Sequence, residues 1–203
     1  MSQPPREDRA TYHHGNLRDA LIGAGLELTR TGGRDALVLR DVTRRVGVSP
    51  NAAYRHFGDL EALRAAVAAR VQEGATDRMR ALTTDAATGR GLLRAVGLGY
   101  ISFAVAEPGW FDVAFGDAHA RPDDSGALPA PLTALVAALD ALVADGDLAA
   151  SARPGAEWPC WSAVHGFALL ALRGPLRFVS DDERRIAAER TVDTVIEGLL
   201  AAS

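Results

Sequence analysis

Lysine is missing from the 203 residues: apart from five histidines, all 22 basic side chains are arginine. A bias of this kind follows genomic base composition, and no mechanism is read from it. Cysteine occurs once, as Cys160, which excludes an internal disulfide and any cysteine-based zinc site. No apolar run approaches the ~20 residues that cross a bilayer, so no membrane partner is expected. The first dozen residues are polar and charged, which leads us to expect no secretory leader and a reducing cytoplasm as the compartment. Catalytic signatures are also missing. There is no G-x-S-x-G, no G-x-x-x-x-G-K-[ST] and no H-E-x-x-H. Cys160 and His165 sit ~140° apart around a helix and cannot pair as nucleophile and base. His13-His14 is a poor metal pair, because chain neighbours point to different sides and no third ligand is near. We therefore expect no enzyme, no cofactor and no metal.

What remains is an ordinary globular composition, 48% hydrophobic and 24% charged, long enough for one or two small domains with a buried core. The net charge of −4 is unevenly spread. Residues 1–58 hold nine arginines against six acids, a net of +3, and residues 59–203 hold thirteen against twenty, a net of −7. Only the N-terminal part suits a phosphate backbone; the acidic remainder keeps the chain soluble and off non-specific sites.

The most informative stretch runs from Leu39 to Phe57. Leu39, Val42 and Val46 make one apolar stripe of a two-turn helix. Gly47 fits its stop, since glycine takes a left-handed backbone without a Cβ penalty. Ser49 starts a second helix as N-cap, with Pro50 at the first helical position, where its missing N–H costs nothing. Ala53 and Phe57 face inward; Asn51, Tyr54, Arg55 and His56 face outward or sideways. A short polar helix after a glycine turn has the groups that reach base edges and phosphates in a major groove. Two other readings stand beside this one: an αα-corner in a helical bundle, and a pure helical interaction module. The second would explain a bundle but not the residues from Leu39 to Leu63; on geometry alone the first stays open.

Val46-Gly47-Val48-Ser49, Tyr54-Arg55-His56-Phe57 and Glu61-x-Leu63, with Leu39, Arg40 and Val42 before them, together resemble the helix-turn-helix of TetR-type transcriptional regulators. The match covers roughly a quarter of the chain. Two positions depart from the family pattern. Val38 stands where a capping Ser or Thr is usual, and Leu60 where a phosphate-touching lysine is usual. Further on, Trp161-x-x-x-His165-Gly166 resembles the Trp-His-Gly signature of one C-terminal class in the same family.

Taken in order, residues 1–15 read as a flexible arm. Arg6, Arg9, His13 and His14 either lie along DNA or belong to a solvated tail. Residues 16–58 read as the DNA-binding domain. Asn16 is expected to cap its first helix, whose stripe is Leu17, Leu21, Ala24 and Leu28 and whose end is Thr31-Gly32-Gly33. Residues 59–203 read as a helical ligand-binding and dimerisation bundle, entered through a long connecting helix, 59–82, capped by Asp59. The expected fold is all-α, with about nine helices.

In that bundle Tyr100, Phe103, Trp110, Phe111, Phe115, Trp161 and His165 supply aromatic walls and one polar handle, either as a ligand pocket or as plain core. The segment from Trp158 to Leu172 is apolar nearly all round and must be covered on most sides. The late stripe Val192, Val195, Ile196 and Leu199, with Trp161, is expected to face a second copy of the chain.

The resemblance implies a function: a homodimer sets two recognition helices in successive major grooves of a roughly palindromic double-stranded DNA operator, and a small-molecule effector in the bundle releases this repressor. It also implies that Ser49, Pro50, Asn51 and Tyr54 position or read, while Arg40, Arg44, Arg55 and His56 hold phosphates or groove edges.

Overall fold

The computed structural model describes residues 13–83, 88–116 and 128–201, and every regular element among them is helical. A first helix, α1 (His13–Gly32), is the floor of the N-terminal head. It begins at His13, four residues before the Leu17 start that a cap at Asn16 implies, so Asn16 lies inside the first turn and not at the cap. Nothing in His-His-Gly forbids a helix as a proline would. Arg6 and Arg9 of the expected arm lie outside the described residues.

Gly33, at φ 62°, turns the chain into a short 3₁₀ segment, Arg34–Ala36. The next helix, α2 (Leu39–Val46), starts at Val38 with no side-chain cap and ends at Gly47, which is left-handed at φ 75°. Ser49 opens α3 (Pro50–Tyr54), its hydroxyl accepting from the Ala52 N–H at 3.3 Å. Leu21, Leu37, Val42, Ala53 and Phe57 close the core of this three-helix head, and Arg45 joins Glu27 at 2.7 Å to hold α2 on α1.

Asp59 caps α4 (Leu60–Ala81) by accepting from the Ala62 N–H at 2.7 Å. Its stripe of Leu63, Val67, Val71, Ala75 and Met79 is buried, while Leu82 is half exposed. The body then follows. Its helices are α5 (Gly89–Ala106), α6 (Pro108–Phe115), α7 (Ala130–Ala144), α8 (Glu157–Arg173) and α9 (Asp181–Ala201). Thr88 caps α5 by accepting from the Gly91 N–H at 3.1 Å.

The centre of the body is α5, which packs against α4, α6, α7, α8 and α9. Two glycines make this possible. A Cβ on Gly99 would come 2.7 Å from the Met79 backbone, and one on Gly89 would come 2.5 Å from the Leu142 nitrogen. Arg94–Asp193, at 2.7 Å, and Arg90–Glu197 tie α5 to α9. Val192 and Ile196, expected to meet a partner, are instead buried inside the chain at 4% and 3% exposure. They fill the space between α5 and α8, because a helix packed against both turns its stripe inward. Val195 and Leu199 are half-buried against the same core.

Candidate nucleic-acid interface and effector cavity

Around α3 the inward and outward residues separate as the sequence pattern requires. Ala53 is fully buried, whereas Ser49, Pro50, Asn51, Tyr54 and Arg55 are exposed, Tyr54 at 51%. His56 is half-buried. Phe57 anchors the end of the turn, with the Arg18 guanidinium 5.3 Å above its ring. On α2, Arg40 and Arg44 are exposed, and Arg44 also reaches Asp41 at 2.9 Å. All eight residues expected at the DNA thus come from one short region, α2 through the turn after α3. The result is a surface of amide, phenol and guanidinium groups.

The aromatic residues of the body divide into two groups. Tyr100, Phe111, Phe115, Trp161 and His165 form one cluster, with ring centroids 5.0–6.3 Å apart. The Tyr100 hydroxyl lies 2.9 Å from His165 Nδ1. Burial raises the phenol well above its ordinary pKa and lowers the imidazole below its own. Both are therefore neutral at pH 7, and the two share one hydrogen bond whose direction follows the imidazole tautomer.

Tyr100 and Trp161 also line an apolar cavity of about 30 Å³ that opens between α5, α7, α8 and α9. Cys160, Val164, Leu135 and the misjudged Val192 and Ile196 share its wall. Burial pushes the Cys160 thiol up to about 11, which leaves it an inert apolar group. The cavity has room for about one water, and any larger occupant must part its walls.

Phe103 and Trp110 belong elsewhere. Phe103, three residues beyond Tyr100, is turned ~60° around the helix toward α4. Trp110, half-buried, faces α1, where its indole N–H donates to the Leu26 carbonyl at 2.8 Å.

This second location is the seam between head and body, and α6 makes it. Glu107, just ahead of α6, is buried and takes both Nε and Nη2 of Arg30, at 2.8 and 2.7 Å. Asp112 accepts from the Arg34 backbone N–H at 3.1 Å and pairs with Arg173 of α8. Gln72 of α4 donates to the Ala114 carbonyl at 3.2 Å. Gly109 lies so close to α1 that a Cβ there would be 2.2 Å from the Arg30 carbonyl oxygen. The sequence reading missed this seam. The available signal was a lone carboxylate, Glu107, between two apolar segments, which demands a partner.

Comparison with known proteins agrees with this arrangement. Residues 21–67 match the model of bacterial regulatory proteins of the tetR family, and residues 93–195 match the Tetracyclin repressor-like C-terminal domain. An uncharacterized HTH-type transcriptional regulator of Bacillus subtilis (strain 168), YobS, is 23% identical over 186 residues, 92% of this chain and 94% of its own. A protein of unknown function from Rhodococcus sp. RHA1 is similar at 30% identity, with TM-score 0.68 over 95% of this chain and 100% of its own. A TetR variant from Acinetobacter baumannii AYE, in complex with minocycline, shares the fold at 22% identity and TM-score 0.65, over 95% and 96% of the two chains. These families are regulators and not enzymes, and no helix among the described residues is long and apolar enough to cross a membrane. The chain is a DNA-binding transcriptional regulator of the TetR family.

Proposed function

We propose that the chain acts as a homodimeric repressor in the cytoplasm that leaves a palindromic operator when a small molecule enters the body. One observation supports this above others: α6 touches both ends of the required pathway. Its Phe111 and Phe115 stand in the aromatic cluster beside the cavity, while Trp110 and Asp112 hold α1 and the turn after it. An effector that parts Tyr100 from Trp161 displaces Phe111 and Phe115, and α6 passes the displacement to the head. Such an effector lowers operator affinity only by its preference for the displaced state, typically ~1–3 kcal/mol. The similar TetR variant with minocycline supports effector binding in this fold.

For the homodimer, the supporting feature is apolar surface left in water by the single chain. Trp158 is 59% and Leu170 47% exposed on α8, and Ile186 is 47% exposed on α9. This outer face, and not the buried Val192 and Ile196, is where the second copy docks.

The test is a selection of duplexes by the purified chain, followed by gel shifts on the winning sequence. We expect an inverted repeat with half-sites ~34–36 Å apart. Tyr54→Ala should weaken binding without loss of fold, because the side chain is half in water. Selection of a non-repeated site would overturn the dimeric reading, and unaltered binding by the variant would remove α3 from the contact.

A further inference from the structure

The seam holds a groove that neither the DNA contact nor the body cavity uses. It measures about 260 Å³ and is lined by Leu26 of α1, by Arg70, Gly74 and Arg78 of α4, and by Phe103 and Trp110. Glu107 also lines it, but both its oxygens are taken by Arg30. The same Arg30 guanidinium sits 5.0 Å from the Trp110 ring centroid, so the position where a cation would stack is already filled. Arg70 is held by Glu73 at 3.1 Å. Arg78 has no ion-pair partner among the described residues. It offers a forked donor set to a ligand at the groove edge.

Gly74 adds a second, independent observation. It lies mid-helix in α4, where glycine costs about 1 kcal/mol against alanine. A Cβ there would meet no heavy atom within 4 Å. No packing contact demands the glycine; its effect is to keep the groove open. A volume of this size falls below that of a drug-sized pocket and suits one or two fused rings.

We infer that this groove is a second small-molecule site, taking a planar aromatic carboxylate whose rings lie against Phe103 and Trp110 and whose carboxylate meets Arg78. Its walls come from α1, α4 and the α5–α6 corner, so an occupant bridges head and body. This site is separate from the apolar cavity, which has no charged side chain in its wall.

The test uses 2-naphthoate and its uncharged counterpart 2-naphthamide on the intact protein, by calorimetry and hydrogen exchange. We expect saturable naphthoate binding at submillimolar concentration and at least about tenfold weaker binding of the amide, which keeps one acceptor oxygen but lacks the charge and the second oxygen that face Arg78. Arg78→Gln should weaken naphthoate about tenfold, and Gly74→Leu should abolish its binding by filling the groove. Both residues face solvent, so melting curves should match or exceed wild type. Exchange should slow at Leu26–Arg30 and around Trp110. Equal affinity for the amide, full affinity in both variants, protection confined to α8 and α9, or no binding at all would each overturn the proposal.

Discussion

His165 and Val38 each convert a local environment into a measurable quantity. Burial beside Tyr100, Trp161 and Phe111 lowers the His165 pKa below its ordinary 6.5. The unfolded chain takes up the proton near that value while the folded chain resists it, so folding stability falls as pH drops below about 6.5. Urea midpoints at pH 7.5 and pH 5 should show this loss, and His165→Gln should flatten it. Val38 starts α2 in extended geometry, 45% exposed and with no side-chain cap. Val38→Ser should therefore raise stability by ~1 kcal/mol, read as a higher melting temperature; no gain would mean the start of α2 is limited by something other than its orphan N–H groups. Outward residues such as Asn51 and Tyr54 were legible in the sequence, because a capped five-residue helix has few ways to turn. Phe103 was not, because ~60° of rotation on one helix decides which neighbour it meets, and composition does not encode neighbours.

Among the elements, α6 is the shortest α-helix of the body and touches both the head and the body. Its first turn meets α1 backbone to backbone. Gly109→Ala would bring a methyl against the Arg30 and Thr29 carbonyl oxygens, at 2.2 and 2.4 Å, and backbone atoms cannot swing aside. We expect a cost of ~1–3 kcal/mol, as for overpacking elsewhere, seen in thermal melts; an unchanged melt would mean the seam is looser than the distances imply. Helix existence and most inward stripes followed from the 3.6-residue period, and from caps at Ser49 and Asp59. The function of the α9 stripe did not, because an apolar stripe looks alike whether its own chain or a second copy covers it. Val192 and Ile196 turned out to be covered from within by α5 and α8.

At the scale of the whole molecule, charge and apolar surface make two separate statements. The exposed arginines Arg40, Arg44 and Arg55 carry the positive end of an otherwise acidic chain. Log affinity for the operator should therefore fall linearly with log salt, and loss of any one of these that holds a phosphate should reduce the slope by about one. A flat salt response would argue against phosphate contact. The outer faces of α8 and α9 lead to a different experiment. If the wild type sediments as the proposed dimer, Trp158→Glu with Leu170→Glu should sediment as a folded monomer at the same concentration; persistent dimers would place the interface elsewhere. The two-part layout was readable from the charge split, whereas the seam was not, since it joins residues some 80 positions apart, as in the 77-residue separation of Arg30 and Glu107. That seam sets a limit on modularity. A hybrid regulator cut between Phe57 and Asp59 would leave a foreign head facing Glu107, which needs an arginine at the position of Arg30, and Trp110 and Asp112, whose backbone partners must sit at the same places. The transplantable cassette is therefore discontinuous, and a head exchanged without its own α6 should still recognise its DNA yet no longer hear the body.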